Sequence, residues 1–128
     1  MLRDGSDATI IACGIEVAEA VKAADMLAGE GLSIRVLDMF TVKPIDRDAV
    51  LAAAADTGAI VTAENHNVIG GLGDAVARVL CAECPTPLGR IGIQDIFGEV
   101  GSTPMLMERF GLTAKDIAAK VRETIARK

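Results

Sequence analysis

One stretch of the sequence combines residue types suited to acid–base chemistry with residues suited to holding an anion. Glu64 and His66 stand two residues apart, and a glycine-rich turn at Gly70, Gly71 and Gly73 follows them. A histidine beside a carboxylate can act as a general base, and glycines at the start of a helix let backbone N–H groups approach an anion. The stretch therefore predicts one of three things: a catalytic histidine, a phosphate cradle, or a structural turn between a strand and a helix.

The glycine-rich turn matches a dinucleotide-binding fingerprint only in part. That fingerprint requires G-x-G-x-x-G after the first strand, whereas residues 71–76 read GLGDAV and follow the third predicted strand. Asp74 would also place negative charge where a pyrophosphate should lie. These departures favour a tight turn with close packing. Anion binding at the N–H groups after Gly71 stays open as an alternative.

A catalytic role for His66 requires further groups. Glu64 lies on the same face if the strand continues to residue 66, but triad chemistry needs a third group as well. Isolated histidines on loops are more often solvated or structural. We therefore expect no catalytic residue in this chain.

The sequence CAEC, residues 81–84, is a second candidate for chemistry. A redox pair normally begins at a helix N-terminus, where the helix dipole favours thiolate, whereas Cys81 and Cys84 close a predicted helix at its C-terminus. A zinc site would need two more ligands, and only Cys13 and His66 are available. We expect no metal site here, although a redox or metal protein is kept as an alternative.

Composition excludes several classes of function. The 128 residues are 51% hydrophobic, with 13 Lys and Arg against 18 Asp and Glu, no Trp or Tyr, and three Phe. An acidic chain without aromatic platforms is poorly suited to nucleic acid. No apolar run approaches the roughly 20 residues that span a bilayer, and no export signal is visible. We expect a cytoplasmic protein with reduced thiols and no membrane or nucleic-acid partner.

The elements that must position these residues alternate along the chain. Apolar runs predict strands over 8–13, 33–39, 59–64 and 89–94, and helical periodicity predicts helices over 16–28, up to 55, 72–81, from 104 to 110, and 113–126. Asp46 or Asp48 caps the second of these helices, and Thr103 caps the fourth. Alternation of this kind predicts a three-layer α/β/α sandwich, formed by a single domain over residues 1–128, with a mostly parallel sheet of four strands.

Functional residues in such sheets gather beyond the carboxyl ends of the strands. In a doubly wound order the first and third strands are neighbours whose helices leave to opposite faces. We therefore predict a crevice that faces a ligand or a partner and keeps its polar residues solvated. Its predicted residues are Gly14, Glu16, Glu64, His66, Gly70, Gly71 and Gly73.

Three segments together resemble the C-terminal domain of transketolases. They are DATIIACGIEVAEAVKAADMLAGEGLSIRVLDMFTVKPID, AIVTAENHNVIGGLGDAVARVL and RIGIQDIFGEVGSTPMLMERFGLTAKDI. Each motif is weak alone, but their order and spacing match over nearly the whole chain, and the ENH followed by GGLG is most similar to transketolase. 1-Deoxyxylulose-5-phosphate synthases and the β subunits of 2-oxo-acid dehydrogenases share this domain and remain alternatives, as does a free-standing anion-binding α/β module.

The resemblance implies a part of an enzyme. Transketolases move a two-carbon ketol unit between sugar phosphates of the pentose phosphate pathway. Their thiamine diphosphate and its divalent metal, Mg or Ca, are bound by domains absent from these 128 residues. The resemblance thus implies a non-catalytic, inactive chain that packs against the thiamine-binding domains and supports a homodimer. The family's short antiparallel edge strand would be reduced to Met1-Leu2-Arg3, which indicates a fragment or a transketolase split into two chains.

Overall fold

A computed structural model describes residues 1–128 as a four-stranded sheet with helices on both faces. The strands are β1 (Ala8–Ala12), β2 (Ile34–Asp38), β3 (Ile60–Asn67) and β4 (Leu88–Ile93). The helices are α1 (Glu16–Ala28), α2 (Arg47–Thr57), α3 (Leu72–Glu83), α4 (Thr103–Phe110) and α5 (Ala114–Ile125). Neighbouring strands are parallel in the order β2-β1-β3-β4, which confirms the predicted parallel sheet.

Different helices cover the two faces of the sheet. In the fully buried strand β1, Ile10 packs into a core with α1 and α5, whereas Ile11 packs into a second core with α2 and α3. Successive strand residues point to opposite faces, so a continuous apolar run buries both of them. The predicted three-layer α/β/α sandwich is therefore confirmed. None of the helices is both long and apolar enough to cross a bilayer.

The predicted antiparallel edge strand is present as a single bridge. Arg3 pairs antiparallel with Val36 of β2. The Val36 amide donates to the Arg3 carbonyl at 3.0 Å, and the Leu2 amide donates to the Val36 carbonyl at 2.9 Å. Residues 1–3 thus cover the outer edge of β2 at one position only.

Two helix starts differ in detail from the predictions. Asp46, and not Asp48, caps α2, because its carboxylate accepts a hydrogen bond from the Ala49 amide at 3.0 Å. Ser102 occupies the N-cap of α4, so the prediction that Thr103 caps this helix is wrong. Thr103 is instead the first helical residue.

Two predicted ends fall short of the observed ones. Helix α3 continues past Cys81 to Glu83 and ends where Cys84 precedes a proline, a position that disfavours helical geometry. Strand β3 continues past Glu64 to Asn67, which pairs with Ile93 of β4 after an irregularity in the register. The longer β3 places the Glu64-to-His66 stretch on a strand.

Candidate functional site

The carboxyl ends of β1 and β3 lie side by side, as predicted. The strands pair in parallel through Ala12 and Ala63. Helix α1 leaves β1 toward the face that α5 covers, and α3 leaves β3 toward the face that α2 covers. Chain paths that diverge in this way open a crevice between neighbouring strand ends.

Glu64 is buried at this edge and caps helix α3. Its side chain is 3% exposed. The carboxylate accepts the amides of Leu72 and Gly73 at 2.7 and 2.9 Å. These are N–H groups of the first helical turn, which have no acceptor inside the helix. The negative charge of Glu64 therefore sits at the positive end of the α3 dipole.

Gly71 is required by this cap. A Cβ atom built at Gly71 would overlap the carboxylate of Glu64. Gly73 is nearly as tight, because a Cβ there would lie 3.1 Å from the Thr62 hydroxyl and 3.2 Å from Cδ of Arg90. The glycines of the turn thus permit close packing, as the structural interpretation of this stretch proposed.

The N–H groups after Gly71 have internal partners. Leu72 and Gly73 donate to Glu64, and the Gly70 amide donates to the carboxylate of Asp74 at 2.6 Å. The Asp74 pKa lies below its ordinary value, because it accepts from Gly70 and from Arg90. An external anion would have to displace a buried carboxylate, so the geometry disfavours a phosphate cradle at this helix end.

His66 is exposed and bonded to its own neighbour. Its side chain is 63% exposed, and its Nδ1 lies 3.9 Å from the Glu64 carboxylate. Nδ1 is 2.7 Å from the carbonyl oxygen of Asn67, to which a protonated Nδ1 donates. Glu64 faces the interior and His66 faces solvent, so the pair does not form an acid–base dyad. The structure thus disfavours a catalytic histidine.

Glu16 is buried without a partner, which overturns the expectation that the crevice keeps its polar residues solvated. It is the first residue of α1, it is fully buried, and neither carboxylate oxygen accepts a hydrogen bond. Burial raises the pKa of Glu16 from 4.5 to about 7, with further contributions from Glu19 and Asp116. Gly14, two residues earlier, turns the chain out of β1 with φ +61°.

The cysteines are free thiols in separate surroundings. Cys81 is exposed on α3, and Cys84 follows that helix half-buried. Cys13 follows β1, where burial raises its thiol pKa and the charge of Glu64 adds to the shift. The structure contains no group of three or more His, Cys, Asp or Glu side chains that could hold a metal ion.

The sequence did not reveal an exposed apolar loop after β4. Phe97 and Val100 are completely exposed, at 98% and 101%, and Ile96 is 49% exposed. The loop begins at Asp95, whose φ of +54° is unusual for a residue other than glycine. The Asn67 side chain donates to Asp95 at 2.8 Å and so ties the loop to β3. Apolar residues in a segment without strand or helix periodicity were the one available signal.

Comparison with known proteins was made for sequence and for structure. Residues 1–117 match the family model described as "Transketolase, C-terminal domain". A 6-deoxy-6-sulfo-D-fructose transketolase subunit of Clostridium sp. (strain MSTE9) is 56% identical over all of this chain and 40% of that protein. A 1-deoxy-D-xylulose-5-phosphate synthase of Syntrophotalea carbinolica (strain DSM 2380 / NBRC 103641 / GraBd1) is 47% identical over 94% of this chain and 19% of its own length.

A solved structure agrees with these matches. It is described as "Split gene transketolase, inactive beta4 tetramer", and it superposes with a TM-score of 0.92 at 50% identity. It covers 98% of this chain and 40% of its own length, so this chain spans less than half of the relatives it resembles. Taken with the parallel sheet and the capped β3 turn, these matches show that the chain belongs to the transketolase C-terminal domain family.

Proposed function

We propose that the 128 residues act as one domain, the C-terminal domain of a transketolase that moves a two-carbon ketol unit between sugar phosphates. In this proposal the domain is non-catalytic. Its contribution is to pack against the thiamine-binding domains, in the same chain or in a separate subunit, and to support a dimer. The observation that carries the proposal is the family match together with the exposed apolar loop after β4.

Transketolase is favoured over the synthase alternative by identity. The two transketolase relatives are 56% and 50% identical to this chain, against 47% for the synthase. The names of several relatives also specify a subunit or a section of a transketolase. An enzyme divided between polypeptides would need its C-terminal domain to recognise the other part by surface contacts.

Thiamine diphosphate and a divalent Mg or Ca ion are the cofactors that transketolases use, and they supply the carbanion chemistry of ketol transfer. The residues of this chain do not fit them. A pyrophosphate would need free helix N–H groups and a metal held by oxygen ligands. The amides of Leu72 and Gly73 are bonded to Glu64, and no cluster of metal-ligating side chains is present. Both cofactors are therefore assigned to the partner domains.

The loop after β4 is the surface that we assign to this packing. Phe97 and Val100 place two large apolar side chains fully in solvent, which is unfavourable unless a partner covers them. Ile15 and Ile69 follow the carboxyl ends of β1 and β3 and are 46% and 61% exposed. An apolar surface at the carboxyl edge of the sheet is suited to burial against a neighbouring domain. The crevice residues Gly14 and His66 lie at the same edge.

Self-association and inactivity of the chain by itself belong to the same proposal. The split-gene relative is described as an inactive β4 tetramer. By analogy, this chain without thiamine-binding domains should form oligomers through its uncovered apolar surface. It should not transfer ketol groups even when thiamine diphosphate and magnesium are supplied.

Reconstitution tests the proposal. The purified chain is mixed with the polypeptide that carries the thiamine-binding domains, and ketol transfer and complex formation are measured together. We expect activity from the mixture and none from the chain alone. Measurable ketol transfer by the chain alone would overturn the assignment of catalysis to other domains.

Two matched variants test the docking surface. Phe97→Asp should weaken the complex by about tenfold or more, because it places a charge at the centre of an apolar contact. Phe40→Asp is the control, since Phe40 is 85% exposed but follows β2, at the opposite edge of the sheet. Equal weakening by both variants would show that docking does not depend on the loop after β4.

A further inference from the structure

A groove of about 730 Å³ lies beside the glycine-rich turn and has no part in the proposed domain packing. It runs between the loop that follows β2 and the outer surface of α3. Its apolar wall comes from Val42, Pro44 and Ile45 on one side and from Ala75 and Val79 on the other. Such a wall can cover the apolar part of a small ligand.

The charges around the groove are unusual for this chain. Of the 13 lysine and arginine side chains, ten donate to an acceptor within the chain. The three that do not are Lys43, Arg78 and Lys115. Lys43 and Arg78 both line the groove. In a protein with net charge −5 that uses nearly all its cations internally, two unpaired ones face a single groove.

The acidic residues of the groove are already neutralised. Asp74 accepts from Arg90 at 2.6 Å, and Glu83 forms a two-pronged pair with Arg47. Neither carboxylate bonds to Lys43 or Arg78. The groove therefore presents two uncompensated positive charges above an apolar wall.

One backbone donor adds to this arrangement. The amide of Gly71, which also lines the groove, donates no hydrogen bond within the chain. It is distinct from the amides of Leu72 and Gly73, which Glu64 occupies. Charge-assisted hydrogen bonds from a lysine, an arginine and a backbone amide suit a tetrahedral oxyanion.

We propose that this groove binds a small organic dianion, of the class of phosphate monoesters that carry an apolar substituent. Lys43 and Arg78 would pair with the two negative charges. Val42 and Val79 would cover the substituent. Inorganic phosphate, which lacks an apolar part, should bind more weakly than an aromatic phosphate ester.

Titration with phenyl phosphate tests the site, with binding followed by backbone amide NMR shifts. Saturable shifts should be confined to residues 42–45 and 70–79. Lys43→Gln and Arg78→Gln should each weaken the affinity by about tenfold, the loss expected for one charge-assisted hydrogen bond. Both side chains are on the surface, so neither variant should unfold the domain.

Lys115→Gln is the matched control, because it removes the third unpaired cation from outside the groove. It should leave the affinity unchanged. A loss with Lys115→Gln as large as with Arg78→Gln would show general charge attraction and overturn the site. Absence of saturable shifts, or phenyl phosphate binding no better than inorganic phosphate, would also overturn the proposal.

Discussion

Two buried glutamates stand at the carboxyl ends of neighbouring strands, and their surroundings differ. Glu64 is 3% exposed and accepts two helix amides, whereas Glu16 is fully buried and accepts none. Glu64 lies upstream of the helix that it caps, so its carboxylate reaches across the turn to unpaired N–H groups. Glu16 is itself the first residue of its helix.

The comparison shows that hydrogen-bond donors, and not burial alone, decide how a carboxyl group is accommodated. A buried charge is tolerated when polar groups solvate it in place of water. Glu16 has acidic neighbours, Glu19 and Asp116, and its pKa is raised to about 7. At one strand end a carboxylate stabilises a helix, and at the next strand end an equivalent group opposes ionisation.

Removal of the capped carboxylate should have the largest effect. Glu64→Ala leaves two amides of α3 without an acceptor and should destabilise the domain by roughly 3–5 kcal/mol, since each hydrogen bond to a charged group contributes about 1.5–3 kcal/mol. Urea denaturation of the variant and the parent measures the difference. Glu64→Gln keeps one acceptor oxygen and should fall between them. If Glu64→Ala unfolds like the parent, the cap does not stabilise α3.

The glycine beneath the cap should come next. Gly71→Val should destabilise the fold by on the order of 2–3 kcal/mol, because its side chain would displace the Glu64 carboxylate. The same substitution in a Glu64→Ala background should have a much smaller effect. A double-mutant cycle measures this coupling. Additive losses would mean that the glycine is needed for another reason.

The uncapped carboxyl predicts a dependence of stability on pH. The pKa of Glu16 is about 7 in the folded chain and 4.5 ordinarily. Between these values the folded state holds more protons than the unfolded state, so the Glu16 contribution is fully present below pH 4.5 and is lost as pH rises toward 7. Glu16→Gln should match the parent near pH 4.5 and be about 2 kcal/mol more stable at pH 8.

Denaturation of both proteins at several pH values tests this sign. A stability difference that stays constant from pH 4.5 to pH 8 would show that Glu16 is ionised throughout.

The smallest effect is expected from the exposed histidine beside the cap. His66→Ala should change the free energy of unfolding by no more than about 0.5 kcal/mol, as is usual for an exposed side chain. Thermal melts measure the change, and a pull-down with the thiamine-binding part shows whether the side chain contributes to assembly. A large fall in melting temperature would identify His66 as a structural residue.

The strand and helix pattern could be predicted because its signals are local. Apolar runs such as residues 8–12 and the helical periodicity of residues 16–28 depend only on neighbouring residues. The chain positions of Glu64 and Gly71 were recognised for the same reason. The extension of β3 to Asn67 was missed, because it depends on pairing with β4.

The site could be predicted only in part. Gly71 and Gly73 were assigned to a close-packed turn, and that interpretation agrees with the space around them. The burial of Glu16 was not foreseen, because it depends on how α5 packs against α1. The exposure of Phe97 was missed as well, since an aromatic residue in a sequence suggests a core position.

By itself, the sequence determined the alternation of elements, the parallel sheet and the family, because these follow from apolar periodicity and from motifs in a fixed order. Only the tertiary structure decided which glutamate obtains amide donors, which cations remain unpaired and which apolar residues face solvent. Each of these depends on contacts between residues distant in the chain, such as Asn67 with Asp95 and Arg90 with Asp74. Local sequence carries no information about which partner such groups will meet.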